Sequence, residues 1–124
     1  MKLQESGEMY LETIYMLSET MEHVRSIDVV KAMGFSKPSV SHAVGLLKTN
    51  GYLLVDSSGY LTLTESGLDV AKKITERHHV LTEMLIGLGV DKDIAAEDAC
   101  KIEHDLSDAS FEAIKNHLNC KQTN

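Results

Sequence analysis

The 124-residue chain carries 12 Lys/Arg against 19 Asp/Glu, a formal net charge of −7, with 43% hydrophobic residues and a single proline. That length holds one domain or two small ones, and burial of only about two-thirds of the surface leaves a thin core, so pairing with a second copy is expected. A membrane-embedded chain is excluded, because the longest run without a charged residue, Pro38 to Leu47, is too short and too polar to cross a bilayer.

Charge is unevenly spread. Residues 1–23 hold one Lys and five Glu, residues 24–75 hold six Lys/Arg against four Asp/Glu, and residues 76–124 hold five against ten. The middle segment is net +2 and can touch phosphates while both flanks repel them. Met1-Lys2-Leu3-Gln4-Glu5 lacks the apolar core of a signal peptide, so a soluble, cytoplasmic location is expected. In that compartment Cys100 and Cys120 read as thiols and not as a disulfide. There is no internal repeat and no low-complexity tract.

Residues 5–21 predict a helix in which Tyr10, Ile14, Leu17 and Met21 recur at i, i+4, i+7 and i+11 as a core stripe. A second face carries Glu5, Met9, Glu12, Met16 and Glu19, most simply a solvated acidic edge with two methionines packed on a neighbour. Ser26 is expected to cap a short helix, Ile27 to Met33, that Gly34 ends. Ser36 opens the next helix, with Pro38 tolerated in its first turn and a stop at Gly51. Val40, Val44 and Leu47 supply its buried side and leave Ser39, His42 and Ala43 facing out. Two helices joined by a tight Gly-containing turn are a helix-turn-helix.

Tyr52–Val55 and Tyr60–Leu63 are β-prone and joined by Asp56-Ser57-Ser58-Gly59, which predicts a hairpin, and a hairpin directly after a helix-turn-helix is a wing. Thr64 caps a long helix ending near Leu88-Gly89, with the stripe Val70, Ile74, Leu81, Leu85 and Leu88 and with His78 inside it. Asp91 starts another helix. Ser107 or Asp108 caps a last one that carries Phe111, Ile114 and Leu118 on one side. The expected fold is mainly α: a winged helix-turn-helix DNA-binding domain over residues 1–70, then a helical metal-binding and dimerisation domain over residues 71–124.

Lys37, Pro38, Ser39, Ser41 and His42, at the start of the second helix of the motif, are the candidate contacts to double-stranded operator DNA. Lys37 and the serines suit phosphates or base edges, Pro38 a thymine methyl, and the helix N-terminus adds backbone donors. Ser36 reads as an N-cap only, and Ser58 at the wing tip is a further candidate phosphate contact. Cys100, Glu103 and His104 fall on one face of one predicted helix at about 100° per residue, with small Ala96 one turn earlier and His78 on the buried side of the helix before. Each residue alone has a structural explanation. Thiolate, carboxylate and imidazole together outline a first-row divalent metal site, because burying them unpaired costs several kcal/mol.

Glu8-Met9-Tyr10-Leu11-Glu12-Thr13-Ile14-Tyr15, Ser36-Lys37-Pro38-Ser39-Val40-Ser41, Arg77-His78 and Ala99-Cys100-Lys101-Ile102-Glu103-His104 together resemble the diphtheria toxin repressor family of iron- and manganese-responsive regulators, over essentially the whole chain. The resemblance implies that Met9, Cys100, Glu103 and His104 correspond to the primary metal ligands of the iron-responsive members. Glu12 and His78 match ligand positions of the manganese-responsive ones. As in the manganese type, no SH3-like third domain of the iron type is expected, and Met9 and Cys100 stand where the manganese type has carboxylates, so the implied ligand set is a hybrid. A thiolate with a thioether ranks Fe(II) ahead of Mn(II), with Co(II), Ni(II) or Zn(II) as surrogates.

The implied function is metal-controlled repression. A cation joining Met9 and Glu12 to the ligands of the second half fixes the angle between halves, and in a two-fold homodimer that angle sets the spacing of recognition helices against major grooves roughly 34 Å apart. Linkage then requires that operator DNA raise metal affinity by the same factor. The alternatives are a metal-independent winged-helix regulator answering to an organic ligand, and a small di-metal bundle enzyme. The enzyme is disfavoured because such bundles use Glu-x-x-His pairs, whereas Glu103 and His104 are adjacent. No organic substrate or membrane partner is expected.

Overall fold

A computed structural model describes the chain from Glu5 to Gln122. The side chains of Glu5 and of residues 120–122 lie outside the described set, and with them the sequence readings of Glu5 and Cys120. The elements are α1 (Glu5–Thr20), α2 (Ser26–Met33), α3 (Lys37–Thr49), β1 (Leu53–Val55), β2 (Leu61–Leu63), α4 (Glu65–Gly87), α5 (Lys92–Ile102) and α6 (Asp108–Gln122). They form two compact units, Met1–Lys72 and Lys73–Asn124, with the boundary inside α4.

The first unit is a winged helix-turn-helix. Tyr10 and Ile14 of the α1 stripe are buried and Leu17 and Met21 partly so, but Leu11 is sealed as well, which widens the core face beyond the expected stripe. Met16 is 58% exposed and so is not packed on a neighbour in this chain. The N-cap of α2 is Arg25, not Ser26: its backbone N–H donates to the Asp28 carboxylate at 2.9 Å, so the acidic residue three positions on decides where the helix starts. Gly34 ends α2 at φ 73°, a left-handed backbone that costs a side-chain-bearing residue about 1 kcal/mol or more, and its N–H donates to the Val30 carbonyl at 2.9 Å.

In α3 the Ser36 hydroxyl accepts from Ser39 N at 3.3 Å as the expected cap, and Val40, Val44 and Leu47 are buried. Ala43, expected to face out, packs against the core edge beside Val40 and Val44, three and one residues away. The hairpin pairs Leu53 with Leu63, Leu54 with Thr62 and Val55 with Leu61. Its turn is tied by Asp56 Oδ1, which accepts from Ser58 N and Tyr60 N, both at 2.9 Å. Thr64 Oγ1 caps α4 through Gly67 N at 3.1 Å and donates to Gly51 O at 2.7 Å. Gly67 has to lack a side chain, because a Cβ there would lie 2.1 Å from the Tyr52 carbonyl oxygen.

The second unit takes the rest of α4 with α5 and α6. Its buried apolar residues are Ile74, Leu81, Ala95, Ala99 and Phe111. Leu88, assigned to the α4 stripe by periodicity, is 74% exposed: α4 stops at Gly87, so Leu88 sits in the turn and not on the helical face. Ile86 and Ile94 on either side of it are exposed too. Asp91 caps α5 by accepting from Asp93 N at 3.2 Å, and Ser107 caps α6 by accepting from Ser110 N at 3.1 Å. Lys115 of α6 donates to Glu76 of α4 at 3.0 Å. Among the described residues no helix is long and apolar enough to cross a membrane.

Candidate metal centre and nucleic-acid interface

The predicted helix over Cys100, Glu103 and His104 is interrupted. The last helical residue of α5 is Ile102, Glu103 is its C-cap, and His104 lies in the turn that leads to α6. Asp105 N donates to the Ile102 carbonyl at 3.0 Å in an i→i+3 bond that tightens the end of α5, and Leu106 N shares the same carbonyl at 3.2 Å.

Arg77 fixes that turn. Its guanidinium is buried, donates through one terminal nitrogen to the carbonyls of Glu103 (3.0 Å) and Leu106 (2.5 Å), and donates through the other to Asp108 Oδ1. It also lies 5.3 Å from the centroid of the Phe111 ring. Carbonyls left over at a helix end need donors, and one planar cation serves two of them and the first residue of the next helix. Lys73 Nζ reaches Asp108 Oδ1 at 2.8 Å, and this lysine, ahead of Arg77, holds the Asp108 carboxyl below the usual carboxylate range. The sequence carried a signal for Arg77: it shares the face of Ile74 and Leu81, three residues after one and four before the other, where a charge is out of place.

On the turn so held, the Glu103 side chain is fully buried. Its Oε2 lies 3.0 Å from His78 Nδ1 on α4 and its Oε1 lies 3.3 Å from His104 Nε2, whose ring is almost wholly enclosed. Both contacts have the length of hydrogen bonds, and each sets an imidazole nitrogen beside a carboxylate oxygen, two donor types that divalent metal sites use. Among the described residues no group of three or more His, Cys, Asp or Glu side chains is gathered around a single point as a metal cage; the contacts run in pairs through Glu103. Cys100, a half-buried thiol, stands three residues before Glu103 in the last turn of α5. His78, Glu103 and His104 are thus brought together, and their nitrogen and oxygen donors are of the kinds a divalent cation takes. Met9 and Glu12 lie in the other unit, both half-buried, three residues apart on α1.

In the first unit Lys37, Pro38, Ser39, Ser41 and His42 are all exposed on the N-terminal half of α3, opposite the buried Val40, Val44 and Leu47. The Ser39 hydroxyl also accepts from the Ser36 hydroxyl at 2.9 Å. Lys37 and Ser41 line a shallow cleft with Ser26, Ile27 and Val30 of α2, so the N-termini of both helices open on one surface.

Residues 2–63 match the family described as iron dependent repressor, N-terminal DNA binding domain, and residues 64–124 match iron dependent repressor, metal binding and dimerisation domain. An uncharacterized HTH-type transcriptional regulator of Methanocaldococcus jannaschii is 34% identical over 115 residues, which are 91% of this chain and 92% of the relative. The HTH-type transcriptional regulator MntR of Bacillus subtilis is 35% identical over 109 residues, 88% of this chain and 77% of the relative. Among solved structures, the manganese regulator SloR superposes with a TM-score of 0.81 at 30% identity, over 96% of this chain and 55% of that one. A manganese-dependent transcriptional repressor in complex with manganese superposes with a TM-score of 0.83 at 28% identity, over 91% of this chain and 52% of the other. The chain spans about half the length of these solved chains. Since the two halves match, end to end, the DNA-binding and the metal-binding and dimerisation domains of one group of regulators, this chain belongs to the iron-dependent repressor family.

Proposed function

We propose that the protein is a metal-dependent transcriptional repressor that binds operator DNA as a homodimer, with a divalent cation held by His78, Cys100, Glu103 and His104 and with Met9 and Glu12 of α1 as further ligands. The observation that carries this reading is Glu103, a fully buried carboxylate with an imidazole nitrogen within 3.3 Å of each oxygen. Burial of such a charge costs several kcal/mol unless a positive charge answers it. A divalent cation held by these residues would supply that charge. The Cys100 thiol and Met9 thioether favour Fe(II) over Mn(II), although relatives are described as manganese regulators.

The chain's own residues divide the work. Arg77 orients the turn that carries Glu103 and His104, while His78 fixes the outer oxygen of the carboxylate. Lys37 and the serines of α3 take phosphates, and Pro38 and His42 meet base edges. Ile86, Leu88 and Ile94, exposed and close in sequence, contribute to pairing of the second unit with its copy.

The test is anaerobic titration with Fe(II) and Mn(II), read as binding to duplexes enriched from a random-sequence pool. Glu103→Gln and His104→Ala should abolish metal stimulation of binding while circular dichroism and dimer mass stay unchanged. Stimulation retained in both variants refutes the ligand assignment, and equal binding before and after chelation refutes metal control.

A further inference from the structure

The segment between α1 and α2 adds an edge to the wing. Val24 forms an antiparallel bridge with Leu61, whose N–H donates to the Val24 carbonyl at 2.7 Å, and Val24 is itself buried. In extended backbone successive side chains alternate, so His23 and Arg25 project on the other side from Val24. Both meet Tyr60, the residue before β2. The His23 imidazole stacks on the Tyr60 ring at 4.2 Å between centroids and 8° between planes. The Arg25 guanidinium lies 4.7 Å from the ring centroid and donates to the Tyr60 hydroxyl at 3.3 Å.

This arrangement is costly to build on an exposed surface. Arginine carries about 2 kcal/mol of rotamer entropy, and holding it still without a partner carboxylate yields little stability. Of the acids in these segments, Asp28 accepts the Arg25 backbone N–H, Asp56 closes the wing turn, and Glu22 lies 3.9 Å from His23. A planar cation fixed in one orientation with spare donors is suited to a phosphate diester. Its place in the fold agrees. Arg25 immediately precedes Ser26, which lines the cleft shared with Lys37 and Ser41 at the start of α3, so Arg25 stands at the end of the surface assigned to DNA.

We propose that Arg25, held on Tyr60 with His23, grips a backbone phosphate of duplex DNA at the base of the wing, beside the recognition helix. The proposal rests on the DNA-binding reading above and adds to it a contact that carries affinity and no sequence preference. Tyr60 is the positioning residue.

Salt-dependent binding of the metal-loaded protein to the enriched duplex, and to an unrelated duplex, tests it. Arg25→Gln should weaken both by about tenfold and lower the slope of log K against log salt by about 0.9 per protomer. Arg25→Lys should keep the slope and lose only part of the affinity. Tyr60→Leu should cost affinity when Arg25 is present and nothing further in the Arg25→Gln background. Unchanged affinity and slope in Arg25→Gln would overturn the assignment, as would weaker binding with the wild-type slope, which marks a purely structural role. Wild-type protein that binds no duplex with metal present would instead overturn the DNA-binding reading itself.

Discussion

Replacing Arg77 with methionine tests whether the ligand turn is held by one buried cation. Methionine keeps much of the volume and removes the donors that now serve the carbonyls of Glu103 and Leu106 and the carboxylate of Asp108. Each buried carbonyl deprived of its donor costs about 1–3 kcal/mol. The Asp108 pair adds little, because that carboxylate is mostly exposed and screened by water. The loss is therefore on the order of 3–5 kcal/mol, against a total of about 5–15 kcal/mol for a protein of this size. Thermal unfolding followed by far-ultraviolet circular dichroism should move down by roughly 10–20 °C. Metal affinity should fall with it, since Glu103 and His104 lose their fixed placement even in the molecules that remain folded. Arg77→Lys should recover only part of both losses, because a single ammonium cannot span three acceptors in one plane. A variant that melts with the wild type and titrates Fe(II) with unchanged affinity would refute the assignment of Arg77 as the organiser of the turn.

Two further outcomes follow from local geometry. Gly67→Ala should destabilise the first unit by several kcal/mol, in spite of the roughly 1 kcal/mol helix-propensity gain, because its Cβ would meet the Tyr52 carbonyl oxygen at 2.1 Å; urea unfolding at or above wild-type stability would contradict the close approach of α4 to Tyr52. Asp108 has a folded-state pKa below its ordinary 3.8 through Lys73 and then Arg77, so its contribution to stability is complete above about that pH and is lost as pH falls through the folded value. Asp108→Asn should accordingly melt below the wild type at pH 7 with a gap that narrows as pH falls through the folded value, and a gap independent of pH would point to packing and not charge.

The fold was legible where periodicity and caps agreed. Val40, Val44 and Leu47 on α3, the Ser36 cap and the Asp56–Gly59 turn all follow from local chemistry, and they occupy the positions that chemistry requires. Reading failed where a distant partner decided the outcome. Ser26 is a better N-cap than Arg25 by intrinsic preference, but Asp28 at the third position and the Val24–Leu61 bridge set the start of α2 one residue earlier. Periodicity extended the α4 stripe to Leu88, which falls beyond the helix end and is exposed. The same bridge gathers His23, Arg25 and Tyr60, residues up to 37 positions apart in the sequence, and no local pattern announces such a grouping.

The candidate site shows both outcomes within five residues. Helical spacing does put Cys100 and Glu103 near one another, yet the argument from a continuous helical face fails at His104, because α5 has already ended. What assembles Glu103 with both imidazoles is the break itself. Had the helix continued, the Glu103 and Leu106 carbonyls would be answered by amides farther along, and Arg77 would be a buried charge with no acceptors on that turn. The buried arginine and the interrupted helix therefore require each other, and together they hold a carboxylate out of water between two histidines. A turn of that kind is fixed by side chains and not by a helical ladder, so its placement answers to the partners of Arg77 and Glu103 more than to the length of α5.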